Sequence, residues 1–421
     1  MASATRAASP PAGTARITFY VALAVFAQES TWNFYDNRVP ELLRDHIASA
    51  AVIGLLMGMD NLLGVFIQPY MGNRSDNTRT AWGRRIPYLA VMMPLGALLF
   101  LLIPHATSLG WLILVIFLYA LVMNSFKPIS ESLMPDFIPP ERRSRANAAV
   151  KIASALTTIV AALVSLLMVD DHPKLAFAVP AALMLVAAGV LVWRVRDSRS
   201  PAYQAALAED RVATGEAKVK MRTVVGDLVS SADRRRLLLI VAVFLFAGAW
   251  FASRSLMTPY GVQVLGLSPG QAGGLTLPSG IAFLLAAYPA ALLAERFGRL
   301  RVMATGMLVF ALGALLGAAV QTPAATVAAL CLAAAGAAAF VINAVVVLWN
   351  LAPSSRVLGT YTGLYTVGWA GGGIAGPALV GLAVDLTGWH LMLLHIAVLT
   401  VTSILLVLRI DRLRRRIEAT P

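Results

Sequence analysis

Apolar runs of about twenty residues recur from one end of the chain to the other, each broken by a short polar stretch. A run of that length crosses the ~30 Å hydrocarbon core of a bilayer as a helix. Twelve are predicted, at 16–35, 47–71, 86–104, 109–135, 146–169, 175–195, 236–264, 271–294, 302–320, 324–351, 358–384 and 391–409. The alternating segments of about ten residues that build a membrane β-barrel do not appear. Helices must then do the spanning, because each satisfies its own backbone hydrogen bonds in lipid. The predicted fold class is an all-α membrane protein of twelve transmembrane helices in two pseudo-symmetric six-helix bundles.

Composition points the same way. Of 421 residues, 58% are hydrophobic and 13% charged, and the mean hydropathy is +0.75. A soluble domain carries about 25% charged residues. The net charge of +13 raises nucleic-acid binding, but its placement argues against it. Arginines cluster in short loops, where positive charge fixes membrane orientation. One side carries Arg74, Arg79, Arg84, Arg85, Arg142, Arg143, Arg145, Arg296, Arg299, Arg301, Arg356 and the arginines near the C-terminus; the other carries Arg38, Arg44 and Lys174. An inner-membrane location with both termini cytoplasmic is therefore expected.

The domain plan follows. Residues 1–15, rich in Ala, Ser and Pro, are expected to be a disordered cytoplasmic N-terminus. Residues 16–195 and 236–409 are the two bundles, 196–235 a polar cytoplasmic linker and 410–421 a basic tail. Gln28 and Glu29 interrupt the first apolar run, and no clean cleavage site follows it, so it is expected to remain as a span. The single cysteine, Cys331, excludes an intrachain disulfide and is expected to be a packing residue.

A short charged sequence occurs once in each half. Gly72-Asn73-Arg74-Ser75-Asp76 leads to Gly83-Arg84-Arg85-Ile86-Pro87, and Ala294-Glu295-Arg296-Phe297-Gly298-Arg299 repeats the acid and Gly-Arg downstream. With twelve spans in two halves and a long middle loop, this pattern resembles the major facilitator superfamily. The stretched first copy, with Trp82 before Gly83, Gln68-Pro69-Tyr70-Met71-Gly72 ahead of it and Leu133-Met134-Pro135-Asp136 after the fourth span, is similar to sucrose transporters within the glycoside–pentoside–hexuronide cation symporters. The resemblance implies alternating access, sugar or glycoside substrates and proton symport. The second half carries no sugar-family motif.

Charges inside a bilayer cost about 2.5–3.5 kcal/mol on insertion scales and need a reason. Glu29, Asp36, Asp60, Lys127, Glu131 and Arg254 are the candidates for proton coupling. On the first span Glu29, Trp32, Asn33 and Asp36 share a helical face, which reads either as a sugar-binding wall or as an outer-interface belt. Asp60, beside Asn61, reads as a proton carrier or as a buried acid tied to a neighbour. Asn124, Lys127 and Glu131 share a face of the fourth span, and Lys127 with Glu131 is the expected pair, static or switchable. Lys151 is expected to snorkel. Arg254, one turn past Trp250, is a fixed counter-charge expected to meet Asp36, Glu29 or Asp60. With Asn61 and Asn124 of the first half, Trp250, Asn343, Asn350, Tyr365 and Trp369 of the second are candidates for substrate contact, with helix packing as the alternative. Asp76, Arg84, Arg85, Asp136, Arg143, Glu295, Arg296 and Arg299 are the candidate gate, pairing across the halves at the cytoplasmic mouth.

No phosphate loop, zinc motif or nucleophile elbow is present in the sequence. The chain is expected to be a monomeric transporter rather than an enzyme, without metal or cofactor. Its expected partners are a small-molecule substrate, protons and membrane lipid. Proton-coupled sugar uptake is the leading expectation. The rivals are a proton-coupled exporter of amphipathic compounds and a non-transporting membrane scaffold or sensor.

Overall fold

The computed structural model describes residues 12–47, 50–169, 171–212, 219–267 and 269–418. Among the described residues, twelve long helices form two bundles. The first six are α1 (Ala12–Arg44), α2 (Ala50–Asp76), α3 (Ile86–Leu102), α4 (Leu109–Phe137), α5 (Arg143–Met168) and α6 (Ala178–Arg194). The second six are α7 (Arg235–Ser255), α8 (Leu277–Phe297), α9 (Arg299–Ala319), α10 (Pro323–Leu351), α11 (Leu358–Thr387) and α12 (Met392–Glu418). Two shorter helices, Pro201–Val212 and Met221–Ser230, lie in the linker.

Among the described residues, α3, α4 and α6 through α12 are nine helices long and apolar enough to cross a membrane. The other three, α1, α2 and α5, run 33, 27 and 26 residues. At 1.5 Å per residue each is long enough to span; they are the helices that carry Glu29, Asp36, Asp60 and Lys151.

Helix ends differ from the hydropathy reading where polar residues continue a helix beyond the apolar run. The first helix starts at Ala12, inside the stretch expected to be disordered, and runs nine residues past the expected end at residue 35, through Pro40 to Arg44. Residues 1–11 lie outside the described set. The last helix extends through most of the expected tail to Glu418. Asp411 holds that extension, pairing with Arg414 at 2.8 Å and Arg415 at 2.6 Å, the one-turn spacing that places the partners on one helix face.

Bundle cores are aliphatic and aromatic. Phe34, Phe100, Tyr119 and Phe177 interlock in the first half, and Phe246, Phe310 and Phe340 in the second. The halves meet chiefly where α2 crosses α11 and α5 crosses α8. Gly72 of α2 lies directly against the Gly359 carbonyl of α11, where a Cβ would collide with it. Small residues allow that approach.

Candidate functional site

The end of the molecule that carries the described linker residues, here the basic end, holds a cluster of buried charge. Asp76 is the last residue of α2, Arg84 and Arg85 precede α3, and Asp136 lies in the last turn of α4. The side chains of Asp76, Arg84, Arg85 and Asp136 are fully buried. Asp136 accepts from Arg84 Nη2 at 2.7 Å and Nε at 3.1 Å, and from Arg85 Nε at 3.0 Å. Arg85 also donates to Asp76 at 2.7 Å and to the Ser75 hydroxyl. Burial works against the Arg85 charge, but Asp136 and Asp76 outweigh it and raise its pKa.

This cluster reaches across the halves. The Asp76 carboxylate sits on the N-terminus of α11, accepting from Gly359 N–H at 2.9 Å, Thr360 N–H at 2.7 Å and the Thr360 hydroxyl at 2.9 Å. A helix N-terminus offers free N–H groups and the positive end of its dipole, so an anion is stabilised there. Arg84 donates to the Ser355 carbonyl at 2.8 Å, and Ser132 to the Thr362 hydroxyl at 3.0 Å. Arg143 donates to Asn350 Oδ1 at 2.7 Å, and Asn147 to the Ile342 carbonyl at 2.6 Å.

The second motif copy also crosses the halves, with less burial. Glu295 accepts from Arg145 Nε at 2.7 Å. Arg299 donates to the Ser144 hydroxyl at 2.7 Å and to the Glu141 carbonyl at 3.2 Å. Arg296 does not join them. It is exposed and lies over the Phe297 ring at 5.2 Å, because its helical position points it away from α5.

Both copies turn on a left-handed glycine, Gly83 at φ 102° and Gly298 at φ 93°, a conformation only glycine adopts freely. Gly83 is constrained a second way. A Cβ there would strike the Asp197 carboxylate. Asp197, from the linker, accepts from Arg84 N–H at 2.5 Å and from Arg85 N–H. It thereby fixes the turn that leads into α3. Burial first, then repulsion from Asp136, raises the Asp197 pKa above 3.8.

Midway along the first bundle lies a second group. Lys127 Nζ pairs with Glu29 at 3.2 Å, with side chains 30% and 21% exposed. The expected Lys127–Glu131 pair is replaced, since Glu131 instead faces Lys151 at 3.9 Å. One helical face cannot serve both, and α1 and α5 supply the closer partners. Asp36 and Asp60 lie within the electrostatic reach of Lys127. Asp36 and Asn61 are exposed, and Asp60 is half-exposed.

Several candidate contact residues are occupied by structure. Asn33 bonds to the Thr157 hydroxyl at 2.7 Å and to the Glu29 carbonyl at 3.0 Å. Asn124 joins α2 to α4, accepting from Gln68 at 2.7 Å and donating to the Asp60 carbonyl at 3.1 Å. Trp32 is buried and packs edge-on against Tyr35 and Tyr119, so its ring faces are not open to a ligand here. Asn61 donates to Asp60 at 3.2 Å. Asn350 accepts from Arg143 across the halves. Asn343 is fully buried and donates to Ala339, while its Oδ1 has no partner among the described residues.

In the second half, Tyr365 stacks on Trp369 at 6.3 Å and lies within reach of the Glu131 charge. Arg254 does not meet an acid. Among the described residues no carboxylate lies within ion-pair distance, and its guanidinium covers the Trp250 ring at 4.8 Å. Helix α7 ends one residue later, which leaves Arg254 exposed at the far end of its bundle.

Sequence reasoning missed Asp197, Asp210, Thr157 and the Gly359–Thr360 amides. Only the Gly359 position carries a readable signal, a glycine at the start of a predicted helix. Among the described residues no cluster of three His, Cys, Asp or Glu is arranged to hold a metal ion.

The Major Facilitator Superfamily model matches residues 14–286 and 265–420. The "Membrane-associated transporter protein" of Mus musculus is 32% identical over 95 residues, which span 22% of this chain and 18% of that relative. The Major Facilitator Superfamily transporter FucP, in the outward conformation, superposes with a TM-score of 0.76 at 16% identity, covering 93% of this chain and 98% of that one. A bacterial homologue of the iron transporter ferroportin, in an outward-facing state, gives 0.73 at 14% identity, covering 94% and 100%. Likenesses at that identity carry the fold, and the family match runs over nearly the whole chain, so this multi-pass membrane protein belongs to the Major Facilitator Superfamily.

Proposed function

We propose that the protein is a proton-coupled symporter of a small polar solute, a sugar of the disaccharide or glycoside type, working by alternating access. The observation that carries this reading is the partly exposed Glu29–Lys127 pair in mid-bundle, with Asp36 and Asp60 in its electrostatic reach. A proton arriving at Glu29 would release Lys127 and let substrate binding and protonation favour each other. The closed basic end and the partly exposed acids describe a carrier loaded from the opposite side. The arginine asymmetry of the loops supports a reading in which that basic end, the linker and both termini face the cytoplasm of an inner-membrane protein.

One of the structural neighbours is the E. coli fucose:proton symporter, which supports the substrate class and the coupling ion. The substrate would enter between the bundles near Glu29, Asp60, Tyr365 and Trp369, and a monomer suffices.

Uptake by proteoliposomes tests the proposal, with a sugar panel and with or without a pH gradient. Glu29→Gln is expected to abolish uphill accumulation while counterflow persists. Full uphill uptake in both Glu29→Gln and Asp60→Asn would overturn the coupling assignment. Gradient-driven extrusion of amphipathic cations, with no sugar uptake, would establish the exporter instead.

A further inference from the structure

The linker between the bundles is commonly a tether, but here one of its carboxylates is bonded to both halves at once. Asp210, in the helix Pro201–Val212, accepts from Arg79 Nε at 2.7 Å and meets Arg356 Nη2 at 2.7 Å. Arg79 belongs to the α2–α3 loop of the first half. Arg356 belongs to the α10–α11 turn of the second, next to the Ser355 carbonyl that Arg84 holds.

Other described linker residues hold the first half. Asp197 fixes the turn into α3 through the Arg84 and Arg85 N–H groups. Tyr203 donates to the Thr80 carbonyl at 3.2 Å. Farther along, Val219 exchanges hydrogen bonds with Asn77 at 2.8 and 2.9 Å. Asp210 therefore joins a linker anchored on the first half to Arg356 of the second.

We infer that Asp210 is a positioning residue for alternating access: through Arg356 it straps the second bundle to the first and holds the basic mouth shut until the pair breaks. Exposure suits that role. The Asp210 and Arg356 side chains are 30% and 17% exposed, against full burial of the Asp136 cluster, so breaking this pair costs less than breaking that one. The Asp136 cluster, fully buried, supplies the larger stabilisation; Asp210 adjusts it. This inference rests on the alternating-access reading.

The test uses the full chain in lipid nanodiscs. Cys331→Ala removes the native thiol, and spin labels are placed at Trp82→Cys and Phe297→Cys, one exposed site on each half near the basic end. Pulsed electron resonance then gives the distance distribution between the halves. Asp210→Asn is expected to raise the ratio of long to short distances by about two- to five-fold, the scale of partly exposed ion pairs. Arg356→Gln should do the same and add nothing to Asp210→Asn. Asp210→Glu should restore the original distribution, which a purely structural role would not require.

An unchanged distribution in both Asp210→Asn and Arg356→Gln, with Asp136→Asn shifting it, would overturn the strap alone. No shift in any of the three would overturn the closed-mouth reading together with the strap. Because Arg356 is a loop residue, its variant keeps the proposal testable if Asp210→Asn folds poorly.

Discussion

The two copies of the acid and Gly-Arg motif have the same backbone and different surroundings. Gly83 and Gly298 take nearly the same left-handed turn, and Asp76 and Glu295 both reach the other half. Around the first copy everything is filled: Asp197 lies against Gly83, and Asp76, Arg84, Arg85 and Asp136 are fully buried. Around the second, Gly298 has open space, and Arg145 is 49% exposed beside Glu295. Duplication preserved the turn, whereas burial decided how much each copy contributes. A charge pair in water is screened and costs side-chain entropy. The same pair sealed in protein cannot lose a member without leaving a bare charge behind.

The largest predicted effect breaks the buried copy. Asp136→Ala would leave Arg84 and Arg85 sharing Asp76 alone. A loss of about 3–5 kcal/mol of stability is expected, the cost of an uncompensated buried charge. Denaturant unfolding in detergent would measure it. A loss below 1 kcal/mol would mean that water enters the cluster, and the contrast between the copies would disappear.

Next comes packing at the same helix crossing. Gly72→Ala places a methyl on the Gly359 carbonyl, and overpacking of this kind costs about 1–3 kcal/mol. The motif-equivalent residue in the second copy is Ala291, already buried against its neighbours. The α8–α5 crossing thus accommodates the methyl that α2–α11 excludes. The distance between labelled halves should lengthen in Gly72→Ala, with fewer molecules closed at the basic end.

Asp197 provides a pH test of how tightly the first copy is sealed. Its folded pKa is raised by burial, so the folded state holds the proton more firmly than the unfolded one. Its stabilising contribution is complete below the ordinary carboxylate value of 3.8 and is lost as pH rises through the raised value. Asn at this position can still accept from both N–H groups. The stability difference between Asp197→Asn and wild type should therefore change with pH in the mildly acidic range, in favour of the variant as pH rises. A difference flat with pH would show Asp197 to be solvated.

The fold was legible because lipid leaves one solution, helices of about twenty residues. The pairing of the first motif's charges was legible too, because acid and arginine at fixed spacing on short loops meet readily. The mid-bundle partners were not. Lys127 was one turn from Glu131, yet it pairs with Glu29 on α1, since a sequence ranks neighbours in the chain and the fold ranks neighbours in space. Arg254 misled for the related reason that hydropathy gives depth without direction. Asp197 and Asp210 looked like ordinary linker acids. Their roles depend on where the linker lies against the bundle ends, and no local pattern encodes that.

The smallest predicted effect belongs to the exposed copy and completes the comparison. Arg145→Gln and Glu295→Gln should each change stability by about 0–1 kcal/mol, as screened pairs do. The double variant should differ from the sum of the singles by no more than that, while Arg85→Gln with Asp136→Asn should show a coupling several times larger. The pair nevertheless connects α5 to α8 across the halves, so its loss should lengthen the interbundle distance slightly at unchanged denaturation midpoint. Equal coupling energies in the two cycles would place the asymmetry in packing alone, because burial would then have added nothing to the strength of the charges.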